Sequence, residues 1–356
     1  MDAKLLDKLY RRKEEGTFRS LTEVDLKIDF FSNDYLGIAR DSINQISSNS
    51  GATGSRLLSG NSLESISCET FLADFFQCQS SLVFNSGFTA NLALLSSVPQ
   101  RGDTIIYDEF VHASIRDGIR LSFANSNSFQ HNDFSDLKQQ LKKAKGSIYV
   151  IIESLYSMNG DIAPLKNIAS LCEEFNAYLI VDEAHSIGVF GSNGRGIVDA
   201  LNLQSKILAR VITFGKAYGF HGAAILGSSE LKDFLINFAR PFIYTTGLPP
   251  ADYQTIQSNV AFNIKERQDM LHMNLVNFRD GLNQDKRFTS AINSPIQVVQ
   301  MNSILEIKEL VERMNAVGIY TKPIFSPTVP VGSECIRICM HSFNTIEEIH
   351  ILKSLF

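Results

Sequence analysis

The sequence predicts an α/β fold, a mostly parallel sheet with helices on both faces, plus a small α+β unit towards the C-terminus. Three observations carry this. Short apolar runs at 81–84, 104–107, 148–152, 178–181 and 211–214 recur with helical patterns between them, the alternation from which parallel sheets are built. Polar and titratable residues cluster just past those runs: His112, Glu153, Ser157, Asp182, His185 and Lys216. The carboxyl ends of strands are where such sheets bind ligands. The chain has 356 residues, too many for one small core and enough for a large unit with a smaller one.

Taken in order, residues 2–15 read as a helix with Leu5, Leu6 and Leu9 as its stripe. Phe31-Ser-Asn-Asp-Tyr-Leu-Gly37 ends an apolar pair in a polar turn, and 47–60 is a Ser/Gly/Asn-rich loop interrupted by Arg56-Leu57-Leu58. A helix spans 64–76 and a strand 81–84. Ser86-Gly-Phe-Thr-Ala-Asn91 then opens a helix whose free N–H groups form an anion site at Gly87 and Phe88. It is not a Walker loop, and no GxGxxG follows a strand. Further strands (104–107, 148–152, 178–181) alternate with helices from 113 and over 165–175. Val211-Ile-Thr-Phe-Gly-Lys216 is a strand ending in a lysine, after which Gly219 and Gly222 allow a tight turn into 223–227. Arg240-Pro-Phe-Ile-Tyr-Thr-Thr-Gly-Leu-Pro-Pro250 leaves the large unit. One long helix is expected over 251–282, then strands at 296–301 and 336–340 and helices at 304–317 and 345–355. The expected division is an N-terminal segment over 1–36, a large unit over 37–248 and a small unit over 249–356.

Composition excludes several classes. Net charge is −5, with 44% hydrophobic and 20% charged residues, which gives no footprint for nucleic acid. No apolar run approaches a membrane span. The charged start lacks a signal-peptide core and, with four acids, does not suit a mitochondrial presequence, so a cytoplasmic protein is expected. Five cysteines at irregular spacing argue against a disulfide framework. Cys335 and Cys339 alternate along a strand and read as packing residues. Seven histidines without paired spacing make a catalytic metal unexpected. There is no GxSxG elbow for a serine nucleophile.

Each polar candidate carries two readings. Lys216 is either a lysine reaching solvent from a strand end or a desolvated amine able to form a Schiff base. Asp182 is either a helix N-cap or an acid paired with a protonated ring nitrogen. His112 is either a capping-region histidine or an imidazole stacked on an aromatic ring. His131, His272 and His350 have no obvious companions and read as surface residues, while His221 and His341 stay open.

Taken together these residues resemble the α-oxoamine synthases, a branch of the fold-type-I pyridoxal-phosphate enzymes. The resemblance runs through Ser32-Asn-Asp-Tyr-Leu-Gly37, Gly54-Ser-Arg56, Phe84-Asn-Ser-Gly-Phe88 and Ser157-Met-Asn-Gly-Asp161. It continues in Asp182-Glu-Ala-His185, Thr213-Phe-Gly-Lys-Ala217, Tyr244-Thr-Thr246 and Thr328-Val-Pro330 to Arg337. Thr213-Phe-Gly-Lys-Ala217 with His221-Gly-Ala-Ala224, and Arg240-Pro-Phe-Ile-Tyr244, are similar to the branch that condenses L-alanine with a pimeloyl thioester, on CoA or a carrier protein, in biotin biosynthesis. The resemblance implies pyridoxal 5′-phosphate as cofactor, with Lys216 its covalent anchor and proton carrier. Asp182 would pair with the ring nitrogen, His185 with the ring hydroxyl, and His112 with the ring face. Gly87, Phe88 and Thr213 would hold the phosphate, helped by Thr245 or Thr246 from the partner subunit of a homodimer. Arg337 would bind the amino-acid carboxylate. Asn33, Glu153 and Ser157 would line the substrate side, and Arg19 would stand near the acyl entrance. Relatives often carry a histidine after the glycine loop, and Gly60-Asn-Ser-Leu-Glu-Ser-Ile66 has none. Rival readings are a synthase using glycine or serine, an aminotransferase, and a non-catalytic dimer that keeps a relict site.

Overall fold

The computed structural model describes residues 10–11, 13–15, 28–38, 51–301, 303–326, 329 and 331–356. Arg19, Thr328 and Pro330, and most of the expected helix over 2–15, lie outside the described residues.

After β1 (Ile28–Asp29) come the seven strands of the main sheet: β2 (Ser80–Phe84), β3 (Thr104–Asp108), β4 (Asn125–Phe129), β5 (Ile148–Glu153), β6 (Tyr178–Asp182), β7 (Ile207–Thr213) and β8 (Ala223–Gly227). Their order is β2-β8-β7-β6-β5-β3-β4. Within this sheet β8 runs antiparallel to both neighbours, and the other pairs are parallel. The mostly parallel sheet expected from the alternation is therefore present. β5 and β6 are apolar and buried along nearly their whole length, as strands covered on both faces must be. Register places Glu153 opposite Asp182, and Asp182 opposite Val211. The polar ends of neighbouring strands thus converge on one edge.

β9 (Ile296–Gln300), β11 (Lys322–Ile324) and β12 (Cys335–Cys339) form a second, antiparallel sheet. Cys335 and Cys339 are buried free thiols within it, as their alternation suggested. β1 pairs in parallel with β10 (Ile319–Tyr320), so the 28–29 stretch is sewn to the chain some 290 residues on. One continuous apolar core runs from Phe30 through Phe214 and Tyr253 to Leu352.

Two features depart from expectation. The long helix over 251–282 is two helices, Pro250–Ala261 and Lys265–Arg279. Phe262 leaves helical geometry at ψ 138°, and Asn263 Oδ1 accepts the Lys265 N–H, a local bond that competes with helix continuation. The break buries Ile264 against Gly194, where a Cβ would lie 2.4 Å from Ile264 Cδ1. The second departure is β4, Asn-Ser-Asn-Ser-Phe, a polar edge strand with four exposed residues and no apolar run to announce it.

Beneath the polar edge lies a buried ion pair. Arg210 of β7 donates from Nε to Glu183 Oε2 at 2.7 Å, with the two side chains 3% and 0% exposed. Glu183 Oε1 also accepts Val198 N–H and Ser186 Oγ–H, and Arg210 reaches Phe76 O. Leaving such a carboxylate unpaired is costly. Arg210→Met is expected to lower unfolding free energy by about 3–5 kcal/mol, read from urea denaturation, and an unchanged midpoint would count against the pair's structural role.

Candidate active site

The strand ends enclose a cavity of about 210 Å³. Its floor and walls include Gly87, Phe88, His112, Glu153, Ser157, Asp182, His185, Thr213 and Lys216, nine of the residues singled out from the sequence.

One end is a helix start. Ser86 caps the helix Gly87–Ser97, accepting Thr89 N–H on its side chain. The N–H groups of Gly87 and Phe88 have no intrahelical partner and, with the helix dipole, favour an anion there. Thr213 stands beside them, its hydroxyl donating to Gly222 O at 3.0 Å.

Lys216 sits in the β7–β8 turn. Phe214 N–H to Gly222 O and Gly219 N–H to Lys216 O close the turn. Gly222, at φ +95°, passes so near β2 that a Cβ would meet Phe84 O at 3.2 Å. Burial pushes the Lys216 ammonium down to about 8, against the raising influence of Asp182 and Glu153. A useful fraction of the amine is therefore neutral near pH 7.

Asp182 ends β6. Its Oδ2 accepts Asn91 Nδ2 at 2.8 Å, and its Oδ1 accepts the Ala184 N–H. The residues after Asp182 form turns and no helix, which removes the N-cap reading. Asn91 also reaches Ser114 Oγ. His112 keeps its capping role and also faces the cavity. Its Nδ1 accepts the Ser114 N–H at the start of the helix Ala113–Leu121, while its ring lines the cavity. Glu153 Oε1 accepts the His112 N–H at 2.6 Å and Oε2 the Ser157 N–H at 3.4 Å. Burial foremost, with Asp182 adding, lifts the Glu153 carboxyl to about 8. Burial also lowers His112 and His185, with Lys216 adding to each, so both imidazoles are neutral.

Arg337 of β12 donates from Nε to Ser157 O at 2.8 Å and from Nη2 to Asn33 Oδ1 at 3.0 Å. Asn33 is joined by the Tyr35 hydroxyl, which is 2.9 Å from His185 Nδ1. Arg337 and Asn33 thus connect to the cavity wall. Thr245 and Thr246 do not line it. They border a separate recess with Arg56, Phe242 and Tyr253.

Sequence reasoning missed Asn91, Ser114 and Tyr35. Asn91 had a readable signal, a polar side chain on the buried face of an apolar helix. His131 is a correction. It is no lone surface residue, because Asp108 and Asp161 flank it on both ring nitrogens. His272 and His350 are exposed, as expected.

The model of the aminotransferase class I and II family matches residues 26–351. The chain belongs to that family. Within it, the chain is similar to the 8-amino-7-oxononanoate synthase of Emericella nidulans, at 35% identity over 97% of this chain and 92% of that protein. It is similar also to that of Lysinibacillus sphaericus, at 35% identity over 91% and 86%. Among solved structures, Sphingomonas wittichii serine palmitoyltransferase superposes with TM-score 0.89 at 25% identity, covering 99% of this chain and 95% of that one. The 8-amino-7-oxononanoate synthase of Francisella tularensis gives 0.78 at 29% identity, covering 92% and 97%. The expected fold-type-I transferase architecture is shown by these matches.

The electrostatics of this family member give a direct expectation. In protein freed of ligands, amine-directed labelling of Lys216 should follow a titration centred at about 8. Asp182→Asn removes a negative charge that favours the ammonium, so the midpoint should fall further. A midpoint in the ordinary lysine range would contradict the desolvated site.

Proposed function

We propose that the protein is a pyridoxal 5′-phosphate-dependent acyltransferase that condenses L-alanine with a pimeloyl thioester, releasing carbon dioxide and the thiol and giving 8-amino-7-oxononanoate. The observation that carries this is a single cavity holding a desolvated lysine, a strand-end carboxylate and a helix-start anion site. The donor set fits the cofactor. A phosphate needs the Gly87 and Phe88 N–H groups and the Thr213 hydroxyl, a ring nitrogen needs Asp182, and an aldehyde needs the Lys216 amine. His112 suits the ring face and His185 the ring hydroxyl. When bound, the cofactor supplies an electron sink for negative charge at the amino acid's α-carbon.

The chain's own residues do the rest. Asp182, held by Asn91, keeps a proton on the ring nitrogen. His185 is neutral, and the Tyr35 hydroxyl fixes its ring. Arg337 binds the amino-acid carboxylate, with Asn33 and Ser157 O setting the guanidinium. Lys216 removes the α-proton and later returns one, a role suited to an amine whose pKa is near the working pH. Arg19 is assigned to the acyl entrance. A homodimer completes the reading, Thr245 or Thr246 reaching the partner's phosphate. Leu58 and Leu63, 83% and 81% exposed, follow the Ser55 bridge to Thr246 and offer an apolar face for a second copy. Among the described residues no helix is long and apolar enough to cross a membrane; a cytoplasmic site of action is part of the proposal.

Lys216→Ala should abolish turnover while leaving the far-ultraviolet dichroism unchanged. Thiol release should be strong with L-alanine and pimeloyl-CoA and weak with glycine and acetyl-CoA. Near-normal rates in the variant would overturn the role of Lys216, and the reverse substrate preference would overturn the assignment to alanine and pimelate.

A further inference from the structure

The proposed chemistry leaves one buried cluster unused. His131 follows β4, with Nδ1 2.8 Å from Asp108 Oδ1 and Nε2 2.5 Å from Asp161 Oδ2. Ionised carboxylates only accept, so these two short contacts call for a hydrogen on each ring nitrogen, an imidazolium, and Asn132 Nδ2, 3.2 Å from Nε2, is directed instead to Asp161 Oδ2 at 3.0 Å. Phe110 stacks on it at 4.4 Å, and Tyr156 meets it edge-on at 4.5 Å. The chain around it is tied to the same acids and to Glu109. His131 N–H reaches Glu109 Oε1, Asn132 N–H reaches Asp108 Oδ2, and Asn132 Nδ2 reaches Asp161 Oδ2. Burial works against the charge, but the bonds to Asp108 and Asp161 outweigh it and lift the pKa to about 9.

Asp161 closes a turn over 155–162. Tyr156 N–H donates to Asp161 O, Gly160 N–H to Tyr156 O, and Leu155 bridges to Ile162. On its other side the turn is pressed on the small sheet, for a Cβ on Gly160 would fall 2.1 Å from Ile296 O. Between these supports, Ser157 gives its carbonyl to Arg337 Nε.

We infer that His131 is a positioning residue whose protonated ring, clamped between Asp108 and Asp161, pins the 155–162 turn so that Ser157 orients Arg337. This rests on the reading that Arg337 binds the amino-acid carboxylate. The groups around the ring from each neighbouring element are Asp108 at the end of β3 and Glu109 just after it, Tyr156 and Asp161 on the turn, and Asp136 on the helix Phe134–Lys143, which takes the Gln130 N–H. Arg116 of the helix Ala113–Leu121 meets Glu109 O. The raised pKa sets the direction: the pin is intact at neutral pH and is lost as pH rises through about 9.

The test compares wild type, His131→Gln and Asp161→Asn as holoenzymes. Amide hydrogen exchange of Tyr156 and Gly160 at neutral pH should quicken about tenfold in His131→Gln, and KM for L-alanine should rise about fivefold or more with kcat little changed. Wild-type exchange, corrected for the intrinsic rate, should quicken as pH passes about 9. His131→Gln should show no such step, and Asp161→Asn should move it lower. A merely space-filling histidine would show no pH step, and that result overturns the inference. So does unchanged exchange in both variants. Arg337→Lys is the control. If it raises KM for L-alanine while His131→Gln speeds exchange without raising KM, the link to Arg337 is overturned. If Arg337→Lys leaves KM unchanged, the carboxylate reading fails, and the pin is judged by the pH step alone. Should His131→Gln not fold, Asp161→Asn decides on the same readouts.

Discussion

The buried contact between Glu183 and Arg210 underlies everything at the polar edge of the sheet. Glu183 immediately follows Asp182 and lies two residues before His185, while Arg210 lies three residues before Thr213 and six before Lys216. One ion pair therefore ties the segment that carries Asp182 and His185 to the strand that leads to Lys216. The surrounding structure is built to its shape, since a Cβ on Gly196 would lie 2.6 Å from Glu183 Oε1. A surface pair would give no such rigidity, because solvent would screen it and side-chain entropy would oppose it. Here both charges are desolvated, and further hydrogen bonds satisfy them, the condition under which a buried pair holds geometry.

Above that pair, charge is arranged by sign. Lys216 and Arg337 bring positive charge to the cavity and its wall, and the helix start adds the positive end of a dipole. Burial keeps His112 and His185 neutral, so neither imidazole adds to it. Glu153 is pushed towards its protonated form by burial and by Asp182. The cavity thus gains cationic character suited to a phosphate and a carboxylate, with the Asp182 carboxylate on its lining. At His131 the balance reverses. Two acids there outweigh burial and hold an imidazole charged. The same residue type has opposite protonation at two places about 20 residues apart in sequence because its neighbours differ, and the contrast follows from hydrogen-bond partners.

Much of this was legible in the sequence. Apolar runs of four or five residues announced β2, β3, β5, β6, β7 and β8, and the polar residues past them announced the cavity. β4 was not legible because its residues are serine and asparagine at a solvated edge, where pairing rather than side-chain burial makes the strand. The interruption at 262–264 was hidden because Phe262 and Ile264 continue an apolar pattern, and only packing against Gly194 shows why the chain bends. Tyr35 was visible as part of a turn motif, but its bond to His185 spans 150 residues and has no local signature. His131 was misread for the same reason, since its two acids arrive from the end of β3 and from the 155–162 turn.

The pairing of β1 with β10 has a consequence for how the enzyme comes into being on the ribosome. Residues 28–29 find their strand partner only when residues 319–320 have been made, and Asn33 meets its arginine only when residue 337 has. The parallel sheet, with Asp182, His185 and Lys216 at its edge, is complete in sequence by residue 227. A nascent chain therefore carries the lysine pocket before it carries the Asn33–Arg337 contact at the pocket's wall. The core around Phe214, Ala217 and Tyr218 is completed only by residues that follow, up to Leu352. The complete wall must wait for the last strand, β12.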